Sequence, residues 1–251
     1  MPFLSQLFVF ACFSSILAQA HAQPSILSQL QEAQQSLVVI RATNFDVAQA
    51  AVRSAAVDPK TGRIIIARRL AVPTYDRQGA GTIIHRSGII ITNAHTVHKA
   101  NTIQIALPDR SVHPASVIRI VKDLDLALLK IQYNHSLPAI SLADSNAVRL
   151  GQEVFTIGNS AFLKNTMTGG QIIGIGVNRR LQHAGRQRTD LIQTSFNLYQ
   201  GDSGGPLFDR DGRLIGVLTA DEAASDHSSF AIPSNKIKKY LLEYLNRSEK
   251  K

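Results

Sequence analysis

Gly201-Asp202-Ser203-Gly204-Gly205-Pro206-Leu207 sets one serine among three glycines. With so little Cβ bulk, the backbone can take angles that other residues avoid, and a substrate carbonyl can come close. Pro206 removes an amide donor and Leu207-Phe208 opens an apolar run, so the turn leads into a strand. A Gly-rich surface turn explains the glycines but gives no reason for the serine. A serine hydroxyl is a poor nucleophile until a base takes its proton, and that base must itself be oriented. Two segments supply partners. His95 follows the β-branched run Ile89-Ile90-Ile91-Thr92, which puts an imidazole at a strand end. Asp125 stands at the mouth of the apolar strand Leu126-Ala127-Leu128-Leu129. A buried carboxylate is costly unless it accepts hydrogen bonds, and an imidazole N–H is a fitting donor. Asp123 competes for this role, because strand alternation would place both acids on one face. Asp125 is favoured because it directly precedes Leu126-Ala127-Leu128.

From Gly79 onward the chain breaks into short strands separated by turn residues. Candidates are 82–85, 89–92, 102–106, 116–121, 127–131, 153–157, 170–177, 191–194, 214–219 and 229–232. Such close, even spacing implies an all-β sandwich or barrel and argues against a parallel sheet with crossover helices. Leu137-Pro138 and Asp144-Ser145-Asn146 mark a boundary between halves of similar size. The expected organisation is a leader at 1–22, a first half at 23–135 and a second at 136–251. Helical spacing of apolar residues over 25–37 implies an N-terminal helix, followed by a strand at 38–40. Ile237, Leu241, Tyr244 and Leu245 imply a C-terminal helix capped by Ser234. Residues 44–78 read as a long loop with its own hairpin, including a strand at 63–67.

With the pieces in order, a family resemblance appears over residues 79–238. Gly79-Ala80-Gly81-Thr82, Thr92-Asn93-Ala94-His95, Asp125-Leu126-Ala127-Leu128, Ile157-Gly158-Asn159, Gln193-Thr194, Gly201 to Leu207 and Phe230-Ala231-Ile232-Pro233-Ser234 resemble the HtrA (Deg) type of trypsin-like serine protease. The resemblance implies two six-stranded antiparallel β-barrels of the chymotrypsin kind, with a catalytic triad of His95, Asp125 and Ser203 in the cleft between them. It implies an oxyanion hole in the turn Gly201-Asp202-Ser203, formed by the amides of Gly201 and Ser203. It also implies that no metal or cofactor is needed. Asn197, six residues before the serine, would floor the S1 pocket; Thr219, Ala220 and Asp221 would edge it, and Ser229 would narrow its wall. Without a carboxylate on the floor, a small or medium uncharged P1 residue is expected.

The pattern departs from the family in two places. Asp202 replaces the usual asparagine, and either meets another cation or stays solvated. The chain ends after one helix, so the peptide-capturing PDZ domain of familiar HtrA proteins is not expected. The lead function is an exported endopeptidase acting on unfolded or exposed polypeptides. The rival is an effector-gated or inactive module that binds peptides, with segments 162–168 and 179–190 holding the site misformed.

Composition narrows the setting. At 251 residues, with 44% hydrophobic and 18% charged residues, the chain is globular in character. Leu7 to Ala18 has the length of a signal h-region, and Ala18-Gln19-Ala20 and Ala20-His21-Ala22 offer small-x-small cleavage sites. A retained membrane anchor is the alternative. Cys12 is the only cysteine, so a cleaved product would hold its fold by burial alone, which suits a bacterial envelope protein. The net charge of +9 is concentrated partly at Arg179, Arg180, Arg186 and Arg188. No aromatic interleaving accompanies them, so a nucleic-acid groove is not expected. The readings kept are a solvated or regulatory loop, or contact with anionic lipid or polymer. His98 follows His95 by three residues, but no zinc-protease glutamate accompanies the pair. His85, His113, His135, His183 and His227 read as surface or loop residues. HtrA proteases commonly form trimers through their N-terminal segments, so 25–37 is the expected contact.

Overall fold

The structure is a computed structural model that describes residues 26–43, 51–57, 61, 64–70, 77–158, 166–180, 187–199, 201–219 and 228–248. The export signal expected at 1–22 lies outside them, as do Ala220, Asp221, His183, Arg186 and His227.

Why the chain closes into barrels can be read from two strands. β5 (Ile89–Asn93) is buried along its whole length, and β8 (Leu126–Ile131) nearly so. Successive side chains of a strand point to opposite faces. Ile90, Ala127, Leu129 and Ile131 fill the interior of one barrel, while Ile89, Ile91, Leu126 and Leu128 turn outward into a second apolar cluster. Continuous apolar runs, without alternation, are the signature of strands covered on both sides.

The first barrel closes in the order β1 (Leu37–Thr43), β4 (Arg77–His85), β5, β8, β7 (Val112–Val121), β6 (Thr102–Ala106). The second closes in the order β10 (Thr166–Arg180), β11 (Gln187–Thr194), β14 (Ser229–Pro233), β13 (Leu214–Thr219), β12 (Pro206–Phe208), β9 (Glu153–Gly158). All of these pairings are antiparallel. The expected pair of six-stranded barrels is thus what the chain forms. The second barrel repeats the two-faced logic: Ile215, Leu218 and Ala231 face its interior, whereas Leu214, Val217, Phe230 and Ile232 join the outward cluster from the first.

That shared cluster also receives both larger helices. Leu30 and Ala33 of α1 (Ile26–Gln34) lie in it, as do Ile237 and Leu241 of the C-terminal helix (Ser234–Ser248). Ser234 does not cap the latter as expected. Its hydroxyl donates to the Ala143 carbonyl at 2.8 Å, and the Asn235 amide donates instead to Ser145 Oγ at 3.0 Å. The acceptor for the helix start comes from the interbarrel segment, which sequence distance hides.

Residues 44–78 do carry a hairpin: β2 (Ala51–Val57) pairs antiparallel with β3 (Ile64–Leu70). The interbarrel segment is fastened at both ends. Leu137 and Ile140 donate to carbonyls of Arg86 and Ile83, while Ser141 and Ala143 exchange hydrogen bonds with Leu214. Among the described residues, no helix is long and apolar enough to cross a membrane.

Candidate active site

β5 ends at Asn93 and turns directly into a short helix, α2 (Ala94–Val97), which carries His95. The Asp125 turn, Lys122–Asp125, lies beside it because β5 and β8 are paired neighbours, with Asn93 opposite Leu126. Asp125 has φ +55°, the left-handed region that aspartate tolerates better than most side chains. Its backbone is locked to the helix start: its carbonyl accepts from Ala94 N at 2.8 Å and from Asn93 Nδ2 at 3.2 Å. Its carboxylate then makes two contacts with one residue. Oδ1 accepts the His95 amide at 2.9 Å, and Oδ2 lies 2.7 Å from His95 Nδ1.

A carboxylate can only accept, so Nδ1 carries the proton and Nε2 of the neutral ring is the acceptor. Asp125 is 4% exposed, so water competes little for this bond. Asp123 is exposed and sits within the turn, where strand alternation does not apply. From behind, Arg77 donates to the His95 carbonyl at 3.0 Å and also to the His98 carbonyl. A cation there suits the C-terminal end of a helix, whose last carbonyls lack partners within the helix.

The serine turn reaches this corner from the second barrel. The Ser203 carbonyl accepts from Ala80 N at 3.0 Å, which ties the turn to β4. Gly204 has φ +86°, and a Cβ there would lie 2.3 Å from the Ala80 carbonyl oxygen and 3.2 Å from the Asn93 nitrogen. Only glycine permits so close an approach, and it brings the serine turn against the residues that lead into α2. On its other side the turn is stitched to β13: Gly204 N donates to Leu218 O, and Leu218 N donates to Gly205 O.

Asp202 is buried at 6% exposure, which corrects the solvated alternative. Its Oδ2 accepts the Tyr199 amide at 3.0 Å, so the turn's own backbone supplies a donor. Gly201 takes φ +102°, a conformation side chains disfavour.

The S1 candidates that are described lie on or just after the neighbouring strands β11, β14 and β13. Asn197 is exposed in the loop after β11, and Thr219 is buried at the end of β13. Ser229 is buried and its hydroxyl meets Thr194 Oγ1 at 2.6 Å. The arginine group does not behave as one loop surface. Arg179 lies over the Phe230 ring, 4.9 Å from its centroid. Arg188 is 4% exposed, which corrects the solvated reading for that residue. His98 and His135 are exposed, whereas His85 and His113 are half-buried beside Ser87 and Ser111. Arg77 and Arg188 carried no motif, because their partners are backbone carbonyls far off in sequence.

Residues 79–217 match the family described as Trypsin-like peptidase domain. The chain belongs to the trypsin-like peptidase family. The peptidase domain is 37% identical over 185 residues to serine protease HTRA4 of Homo sapiens, covering 73% of this chain and 37% of that protein. It is 38% identical over 171 residues to serine protease HTRA1 of Xenopus tropicalis, covering 67% of this chain and 36% of that protein. The chain therefore spans little more than a third of the length of these relatives. Among solved structures, an HtrA-type protease, AlgW, carrying a serine-to-alanine change and with a tripeptide, matches at TM-score 0.67 and 25% identity, covering 87% of this chain and 62% of that one. The HtrA-type resemblance read from the motif series is borne out.

Among the described residues of the peptidase domain, no group of three or more His, Cys, Asp or Glu side chains could hold a metal ion. What the site does offer is an imidazole with a fixed tautomer beside a turn that holds a serine out of regular structure. These are the kinds of group that acyl transfer through a serine requires.

Proposed function

We propose that this chain is an exported serine endopeptidase that hydrolyses peptide bonds of unfolded or exposed polypeptides through an acyl-enzyme. The observation that carries the reading is the 2.7 Å contact between His95 Nδ1 and Asp125 Oδ2, which leaves Nε2 as the ring's acceptor. Ser203 Oγ attacks the scissile carbonyl while His95 Nε2 takes its proton and later delivers it to the leaving amine. Asp125 fixes the tautomer and stabilises the imidazolium as it forms. The amides of Gly201 and Ser203 stabilise the oxyanion, and losing one such donor costs about a hundredfold in rate or more. Water then repeats the sequence on the acyl-enzyme, with His95 as base.

Asn197 on the pocket floor leaves a P1 Lys or Arg without a charge partner, so small or medium uncharged residues are the expected P1 class. The N-terminal leader directs export and is removed after Ala20 or Ala22. Leu30 and Ala33 are committed to the chain's own core, so a trimer contact through 25–37 would use the exposed face of Gln31, Glu32 and Gln35.

One experiment reads most of this. The protein is expressed in an exporting bacterial host, treated with a fluorophosphonate probe and weighed intact, alongside Ser203→Ala and a P1 peptide panel. The expected result is one phosphonate on a chain starting at His21 or Gln23, no label on Ser203→Ala, and cleavage after Val or Ala. A folded wild type that takes no label points instead to a peptide-binding module. Cleavage confined to Lys overturns the pocket assignment, and a chain starting at Met1 overturns export with processing.

A further inference from the structure

Arg188 belongs to β11 of the second barrel, yet its guanidinium ends on the turn of the first barrel that carries Asp125. Nη1 donates to the Lys122 carbonyl at 2.8 Å and also to the Asp123 carbonyl. Nη2 stands 4.0 Å from Asp125 Oδ1, too far for a hydrogen bond but close enough for a strong attraction out of solvent. Both side chains are buried, at 4% and 6% exposure.

Stability alone gives a weak reason for this arrangement. Burying a guanidinium carries a large desolvation cost, and apolar replacements of similar volume are often neutral or stabilising. The geometry supplies another reason. Lys122 and Asp123 are consecutive residues of the turn that ends at Asp125; Nη1 meets both of their carbonyls while the other arm of the planar fork, Nη2, faces the Asp125 carboxylate, and together they set the orientation of that turn. Lysine, a point charge on a flexible stem, cannot do the same. The attraction falls on Oδ1, the oxygen that also accepts the His95 amide. Oδ2 is thereby left for His95 Nδ1, and rotation of the carboxylate would break contacts at both oxygens.

We propose that Arg188 is a positioning residue for the Asp125–His95 pair, acting from the opposite barrel through the turn at 122–125. The inference rests on the peptidase reading of this site. Its effect falls on the chemical step: kcat falls when Arg188 is lost, while substrate binding is unaffected.

The test compares Arg188→Met, which keeps the volume and loses the donors, with Arg188→Lys, which keeps the charge and loses the fork. Each full-length variant is assayed for kcat and KM on a cleavable peptide, for thermal unfolding, and for the low-field proton resonance of His95 Nδ1–H bonded to Asp125. Arg188→Met is expected to lower kcat roughly tenfold to a hundredfold, the scale of a misplaced catalytic group, with KM held within about a factor of two. The low-field resonance is expected to broaden or vanish. Arg188→Lys should fall between Arg188→Met and the wild type in both readouts.

A wild-type kcat and an undisturbed resonance in Arg188→Met would overturn the proposal. So would a change confined to KM, which would make Arg188 a substrate contact, or a fall in kcat that tracks the loss of folded protein. Should Arg188→Met show no cooperative melt, the lysine variant decides: folded, with wild-type kcat and resonance, it refutes the assignment. Should the wild type cleave nothing, the peptidase reading fails, while the His95 resonance still decides whether Arg188 positions the pair.

Discussion

Asp125 is asked to do several things with one side chain. Its left-handed backbone points the carboxylate back at α2, and its two oxygens meet a backbone N–H and a ring N–H of the same histidine. Asn keeps the shape but must turn an NH2 toward one of those two donors. If it faces the ring, Nδ1 becomes the acceptor and the proton moves to Nε2, the wrong tautomer for a base. Asp125→Asn is therefore expected to lower kcat about ten-thousandfold while the protein stays folded, measured by peptide hydrolysis and circular dichroism. A loss below tenfold would remove Asp125 from the role. The contact between His95 and Asp125 could be anticipated from the sequence because an imidazole at a strand end and an acid at the mouth of an apolar strand stand beside recognisable neighbours. Arg188 could not: Lys122 lies 66 residues away from it, and a carbonyl acceptor leaves no mark in a sequence.

At the scale of elements, strands buried on both faces were the easiest to place. Ile89-Ile90-Ile91 and Leu126 to Leu129 are apolar without interruption, and any register buries them. β12 is three residues long and was visible only as the apolar end of the serine turn. β10 runs to 15 residues, well beyond the 170–177 expected, and its four glycines dilute the strand signal. The Ser234 cap failed for a different reason, since the interbarrel segment competes for the start of the C-terminal helix. That helix is held by a narrow stripe. Ile237→Ala is expected to destabilise the protein by about 2–5 kcal/mol by chemical unfolding, whereas Leu242→Ala, half-exposed on the same helix, should change stability by less than about 0.5 kcal/mol. Equal effects would mean that the stripe is not what docks the helix.

For the whole molecule, the decisive fact is that the largest apolar cluster among the described residues belongs to neither barrel alone. It takes Ile89, Ile91, Leu126 and Leu128 from one, Val217, Phe230 and Ile232 from the other, and Leu30 and Ile237 from the flanking helices. Parting the barrels would expose this surface to water. The protein is therefore expected to melt in one transition, with calorimetric and van't Hoff enthalpies equal. Two resolved transitions would show that the barrels are independent.

The bond from Ala80 N to the Ser203 carbonyl has a consequence for descent with modification. The serine turn of the second barrel is thereby held against the half of the molecule that carries His95 and Asp125, so changes in second-barrel segments that touch neither this turn nor Arg188 leave that corner in place. Substitutions in such segments are expected to leave the shape of that corner unchanged.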